Sequence, residues 1–221
     1  GAGRIGRIKG IQRPAISTVL PHLHGHSFML DIGANADAKP EWLVQFGIMG
    51  AIYAERVLGI TNPRVGLLSN GEEDTKGNAV VQEAHGLLRE TDLNFCGNVE
   101  GKDITQGKAD VIVSDGFAGN VAIKTAEGTA SMILTILKRE IKARPLASLG
   151  ALLAKPAFKV AASTLDYREY GGGPLLGVDG VVTIAHGRSD ALAMENAVRV
   201  AVEAAERDVV ATIRQYVGSD R

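Results

Sequence analysis

The chain lacks several things that would narrow its class at once. It has one cysteine, Cys96, so no disulfide can form within it, and a reducing, cytoplasmic setting is the expectation. It has no excess of either charge: 24 Lys and Arg stand against 25 Asp and Glu. A partner read through its phosphates, such as nucleic acid, is therefore not expected. No apolar run approaches the roughly 20 residues needed to cross a bilayer, and no signal peptide is visible. There is no internal repeat, no Walker loop and no dinucleotide fingerprint. The first residues, Gly1 to Arg7, are basic and glycine-rich, and a strand-like segment arrives only at Ala15. This reads as a start inside a domain, with part of the natural protein preceding it.

Glycine, by contrast, is abundant: 27 of 221 residues. Most glycines follow short apolar runs, the pattern of turns that lead from a strand into a helix. Val111 to Val113 is one such run, and Asp115-Gly116-Phe117-Ala118-Gly119-Asn120 is its turn. A helix starts near Asn120, carries Lys124 one turn later and continues to about Ile141. Similar alternation runs through the chain. Strands are expected at Pro14 to Pro21, Ser27 to Leu30, Arg64 to Leu68, Leu93 to Val99 and Val181 to Ile184. Helices are expected at Glu41 to Leu58, with Pro40 in its first turn, at Ala79 to Glu90 and at Ser189 to Tyr216. This order predicts an α/β fold with a doubly wound, mostly parallel sheet and helices on both faces, taken as a single domain over 1–221. In such sheets ligands sit at the carboxyl ends of strands, where the unusual polar residues fall.

Three constellations could carry chemistry. The turn at Asp115 to Asn120 puts backbone N–H groups at a helix N-terminus, an anion site to which Asn120 and Lys124 can add. A plain turn with a solvated Lys124 is the equally weighted reading. The second is the strand end at Ala185-His186-Gly187-Arg188, after a glycine-rich loop at Tyr167 to Gly173. His186 can shuttle a proton or bind an anion, and Arg188 suits phosphate, although a turn histidine bonded to backbone is the commoner case. The third is Asp31-Ile32-Gly33-Ala34-Asn35, where Asp31 and Asn35 either orient a ligand or cap a helix, with Lys39 close by. Lys76 and Asn78 are further candidate contacts in the charged loop that begins at Glu72. His22, His24 and His26 would share a strand face, but no carboxylate stands at metal-site spacing, and no metal is expected.

The segment 138–160 changes character. It carries Lys138, Arg139, Lys142, Arg144, Lys155 and Lys159 against one acid, Glu140, and Leu146, Leu149, Leu152 and Leu153 share a helical face. It is expected to be helical.

Five stretches in register point to a family. They are Leu30 to Asn35, Asn70 to Asn78, Phe95 to Gly101, Ser114 to Asn120 and Asp166 to Gly177. Together they closely resemble the bacterial phosphate acyltransferases of phospholipid synthesis (acyl-[acyl-carrier-protein]:phosphate acyltransferases), from about Ile8 to the last helix. That family opens with an Asp-Ala-Met-Gly-Gly-Asp strand and later carries a Ser-Ala-Gly-Asn-Thr-Gly turn, neither of which is present here. The resemblance implies a fold like that of isocitrate and isopropylmalate dehydrogenases, related to phosphotransacetylase. It implies that inorganic phosphate attacks the thioester of an acyl carrier protein to give an acyl phosphate, with no cofactor. By that likeness the Asp115 to Asn120 turn and the Ala185 to Gly187 strand end lie near the reacting groups, and 138–160 forms a helical protrusion at a dimer interface. With the residue chemistry above, His186, Lys124 and Asn120 are expected to be catalytic, and Asp31, Asn35, Lys76, Asn78, Asp115, Gly116, Gly119 and Arg188 to contact phosphate or substrate. It also implies a cytoplasmic homodimer whose product passes to a membrane acyltransferase. The leucines of 138–160 then rest on an anionic bilayer or on a partner subunit, two readings of equal weight. A dehydrogenase of related fold and a non-catalytic carrier-protein or membrane scaffold are the rival readings.

Overall fold

The computed structural model describes residues 5–164, 172–185 and 189–219. Seven strands form one sheet in the order β4-β3-β5-β2-β1-β6-β7. They are β1 (Ala15–His22), β2 (Gly25–Leu30), β3 (Val65–Leu68), β4 (Phe95–Val99), β5 (Val111–Val113), β6 (Gly173–Leu176) and β7 (Thr183–Ile184). The helices are α1 (Pro40–Arg56), α2 (Ala79–Arg89), α3 (Gly101–Ile104), α4 (Gly116–Lys142), α5 (Pro145–Leu153), α6 (Lys155–Thr164), α7 (Ala191–Glu206) and α8 (Val209–Ser219).

The expected α/β architecture is present, with helices about a central sheet whose four strands β4, β3, β5 and β2 run parallel. β3, β5 and the second half of β2 are buried on both faces, whereas β4 exposes Cys96. On β2, Phe28 and Leu30 join the larger apolar core while Met29 joins a smaller one. On β5, Val111 and Val113 face the first and Ile112 the second. This two-sided burial explains the unbroken apolar runs. The larger core is built from α1, α2 and α8, with Phe28 stacked on Tyr53 at 4.3 Å between ring centroids. The smaller core is closed by Ile104 of α3 and by Ala122 and Ile123 of α4.

Beyond β2 the sheet changes sense. β1 pairs antiparallel with β2, β6 with β1, and β7 with β6. Gly173 and Pro174, expected in a loop, begin strand β6. Gly173 permits this, because a side chain there would press into the Ser17 carbonyl oxygen at 2.5 Å. The strand expected to end before His186 is an antiparallel edge strand, so its end is not one of the parallel carboxyl ends. The three histidines do not share a face either. A hairpin places His22 on β1, His24 in the turn and His26 on β2, at the far end of β2 from its carboxyl terminus.

The last predicted helix is two, broken at Arg207 and Asp208, where Asp208 adopts φ +53°. In α7 the buried positions are Ala193, Asn196, Ala197 and Ala204, while Leu192, Val198 and Val202 face outward. Segment 138–160 is helical as expected, formed by the end of α4, then α5 and α6. None of the α5 side chains is buried. Among the described residues no helix is long and apolar enough to cross a membrane.

Candidate active site

The carboxyl ends of β2 and β5 are neighbours in the sheet, with Leu30 opposite Val113. Their turns dock on each other. The Asp31 amide donates to the Ser114 carbonyl at 3.0 Å, and the Ser114 hydroxyl returns a bond to the Asp31 carbonyl at 2.9 Å. The Gly116 amide donates to the Asn35 carbonyl at 2.8 Å, and Asn120 Nδ2 to the Ile32 carbonyl at 3.1 Å. Glycine is required where the turns touch. A Cβ on Gly116 would lie 2.8 Å from the Asn35 amide nitrogen, and one on Gly119 would run into the Asp31 carbonyl.

Asp31 is fully buried and organises its own turn. Its Oδ1 accepts from the amides of Ile16, Gly33 and Ala34 at 3.2, 3.1 and 3.0 Å. Its Oδ2 accepts from the Asn35 amide at 2.7 Å and from Asn35 Nδ2 at 2.8 Å. Five donors satisfy a buried carboxylate without a cation. Asn35 Nδ2 also donates to the Pro14 carbonyl at 2.8 Å. In this state Asp31 and Asn35 are positioning residues: they hold the turn on which a ligand would rest.

The expected cradle of open amides at Gly116 and Gly119 is already engaged. Gly116 donates to Asn35, and Gly119 donates to the Asp115 carbonyl at 3.0 Å. Asp115 is the N-cap of α4, its Oδ1 accepting from the Ala118 amide at 2.7 Å. The helix therefore starts four residues earlier than the sequence implies, and a carboxylate already sits at its positive end. Phe117, Asn120 and Lys124 are exposed on this first stretch of the helix, and no described acceptor pairs with the Phe117 amide. The Lys124 Nζ pairs with Glu127 at 2.8 Å. Both partners are about half exposed, and such pairs contribute at most about 1 kcal/mol, so Lys124 is easily released to another anion. Phe117, 68% exposed, places an apolar ring beside these donors.

The loop after β3 is separately anchored. Asn78 caps α2, its Oδ1 accepting from the Val81 amide at 2.9 Å, which is the role its side chain plays here. Lys76 is exposed on the same loop. His85, buried on α2, meets β4 beneath the loop: its Nδ1 lies 3.1 Å from Asn98 Oδ1, while its Nε2, 3.3 Å from Asp74, makes no hydrogen bond among the described residues. Asn98 Nδ2 donates to the Glu73 carbonyl at 2.8 Å, so its oxygen faces His85 and Nδ1 carries the proton. Glu72, Glu100 and Asp103 bring carboxylates within 4.8 Å of one another, with Lys102 and Lys108 among them. Those two ammonium groups, bonded to Glu72, hold its carboxyl below the usual range. His186 and Arg188, and the loop at Tyr167 to Gly171, lie outside the described residues. Ser114, His85 and Asn98 do not stand out as functional residues along the sequence. A serine at the strand end before a glycine turn is a readable signal for the first; the other two meet only through the sheet.

A mixed α/β fold with a mostly parallel central sheet is the class defined here, and solved phosphotransacylases share it. A phosphotransacetylase from Streptococcus pyogenes matches with a TM-score of 0.56 at 17% identity, over 91% of this chain and 57% of that one. A branched-chain phosphotransacylase from Enterococcus faecalis matches at 0.54 and 14%, over 86% and 64%. The chain belongs to the family described as fatty acid synthesis protein, whose pattern matches residues 1–212. It is 55% identical over 213 residues to the phosphate acyltransferase of Heliobacterium modesticaldum, covering 96% of this chain and 64% of that protein. It is 53% identical to that of Pelotomaculum thermopropionicum, covering 97% and 63%. The chain thus spans a little under two thirds of the length of these relatives.

Proposed function

We propose that this chain transfers a fatty acyl group from an acyl carrier protein thioester to inorganic phosphate, giving an acyl phosphate for phospholipid synthesis. The observation that carries this reading is the 53–55% identity to phosphate acyltransferases over nearly the whole chain. In the reaction a phosphate oxygen attacks the thioester carbonyl carbon. The tetrahedral intermediate expels the phosphopantetheine sulfur, which ends as a thiol after taking a proton. Phosphate is a weak nucleophile, so holding it in line is a large share of the catalysis. The Phe117 amide, Asn120 and Lys124, released from Glu127, supply three donors on one face of α4 for that purpose. The exposed Phe117 ring suits the apolar start of an acyl chain. By family likeness His186 is the proton donor or a second phosphate ligand, and Arg188 a further phosphate contact. No metal or nucleotide takes part in this scheme.

The kinship with isocitrate and isopropylmalate dehydrogenases belongs to the same reading and rests on resemblance alone. So does the placement of the protein as a cytoplasmic, peripherally membrane-associated homodimer. Its support is the arm: Leu146, Leu149, Leu152 and Leu153 are all more than half exposed, beside Lys155 and Lys159. They fit a second copy, or an anionic bilayer near the membrane acyltransferase that consumes the product.

Release of thiol from acyl carrier protein with phosphate present tests the assignment. Lys124→Ala and His186→Ala each lower turnover at least tenfold with an unchanged denaturation midpoint. Near-native turnover in both variants overturns the site assignment, and the absence of thiol release in the unaltered chain overturns the reaction.

A further inference from the structure

The first thirty residues contain four cations, Arg4, Arg7, Lys9 and Arg13, and not one Asp or Glu, although the whole chain is balanced in charge. The fold holds this strip in place. Arg7 donates to the Gln12 carbonyl, the Gln12 amide donates to Gln45 Oε1 at 2.8 Å, and Trp42 Nε1 donates to Gln12 Oε1 at 2.7 Å. The Arg13 guanidinium lies over the Trp42 ring, 5.0 Å from its centroid. Arg7, Gln12, Arg13 and Trp42, with the Gly10 and Ile11 backbone, line an open groove. No described carboxylate pairs with Arg7, Lys9 or Arg13, whereas Arg64, Arg89, Lys102, Lys108 and Arg214 each have one. Two exposed acids stand nearby in sequence, Asp37 and Glu41, and Lys39 lies between them.

The position of the strip is set by the antiparallel sense of β1. That sense brings the start of β1 to the carboxyl edge of β2, with Ser17 opposite Leu30. Pro14 accepts from Asn35, and Ile16 donates to Asp31. Arg13 is therefore one residue from the turn on which the candidate site is built.

We infer that the groove lined by Arg7, Arg13 and Trp42, with the exposed Lys9 between the two arginines in sequence, docks an acidic protein surface that presents a thioester to the neighbouring turns. This inference rests on the proposed reaction, which requires a carrier protein, and acyl carrier proteins are strongly acidic. A cation held on an aromatic face and a backbone-anchored guanidinium lose little freedom when a carboxylate arrives. Charge of this kind acts mainly on encounter and on salt dependence.

The test is direct binding of fluorescently labelled acyl carrier protein to the full chain, followed over a salt series. Charge reversal in Arg7→Glu/Arg13→Glu weakens binding at least tenfold at low salt and flattens its salt dependence. Lys9→Glu, whose side chain makes no described contact in the fold, weakens it about threefold with an unchanged melting temperature. Arg207→Glu, an equal change of net charge at the end of α7, leaves affinity as it was. Affinity unchanged by Lys9→Glu and by the double variant overturns the inference. Salt-insensitive binding also overturns it. So does loss of binding to vesicles of anionic lipid by these variants while carrier-protein affinity is intact. If carrier protein binds through these residues but no thiol is released, the docking surface stands and the proposed reaction fails.

Discussion

Helix α4 joins two regions that use the same residue types to opposite ends. Its first turn is packed until glycine is the only side chain that fits, at Gly116 and Gly119. Its second half, with α5, is bare: Met132, Ile133, Leu146, Leu149, Leu152 and Leu153 are each more than half exposed, and Gly128 and Gly150 face open space. Glycine at the carboxyl edge is a packing requirement. In the arm nothing within the chain requires it. Apolar residues close the core at the first end and lie exposed at the second. The contrast teaches that a glycine or a leucine in this sequence has no fixed meaning until its neighbour across the sheet is known.

The comparison breaks most sharply on paired substitutions within α4. Gly119→Ala drives a methyl into the Asp31 carbonyl and is expected to cost about 3 kcal/mol or more. Gly128→Ala meets nothing and is expected to stabilise the helix by about 0.5–1 kcal/mol. Urea denaturation of the two variants checks both signs, and equal effects would erase the distinction.

Asp31→Asn comes next. It turns an amide N–H₂ toward some of five donors inside a buried turn, with an expected loss of about 2–3 kcal/mol. Chemical denaturation at pH 7 measures it, and a loss below 0.5 kcal/mol by the same measure, roughly the size of a surface substitution, would show that the turn is not held as described.

A gentler probe lies at the opposite end of the sheet. Burial raises the Asp110 pKa, but hydrogen bonds from the Arg64 side chain and amide, with the guanidinium charge, outweigh it and hold the carboxyl below its usual value. A carboxyl depressed in the folded state stabilises the fold above the ordinary aspartate pKa of about 3.9, and that contribution fades as pH falls through the lower folded value. Asp110→Asn is therefore destabilising by about 1 kcal/mol at pH 7, and the gap to the unaltered chain closes in the acid range. Thermal melts from pH 7 down to pH 3 give the profile, and a gap independent of pH refutes the assignment.

The smallest effect on stability belongs to the arm. Leu149→Glu shifts the denaturation midpoint by less than about 0.5 kcal/mol, because the side chain leaves no core. Its consequence appears in flotation with anionic liposomes, which it is expected to abolish if the arm meets lipid. Equal flotation of both proteins assigns the arm to a partner subunit.

Much of the architecture was legible along the chain. Strands β2, β3 and β5 and helices α1 and α2 fall within a few residues of their apolar runs, since two-sided burial leaves an unbroken signal. The exceptions have local causes. Gly173 and Pro174 read as loop because glycine and proline are poor strand formers, yet they sit between β1 and β7, where a side chain on Gly173 would meet the Ser17 carbonyl oxygen at 2.5 Å. The start of α4 was set too late because Asp115 reads equally as ligand or cap until Ala118 is seen to donate to it. His22, His24 and His26 were aligned by a two-residue period that a hairpin turn interrupts.

The candidate site divides in the same way. Its residue types, the glycine turn after β5 and the Asp31 to Asn35 turn after β2, were readable because each sits directly after an apolar strand. That Asp31 is consumed by its own turn, that Gly116 and Gly119 have no free amides, and that Arg13 stands beside the site could not be read. The bonds to Asp31 from Gly33, Ala34 and Asn35 and that from Gly119 to Asp115 are local, but those joining Ile16 to Asp31 and Asn120 to Ile32 span 15 and 88 positions, which only strand order and direction bring together. Local pattern alone determined which segments are strands, helices and turns, because periodicity and turn chemistry act over a few residues. The tertiary structure decided which donors remain open to a ligand, because the two turns satisfy each other only after β2 and β5 lie side by side.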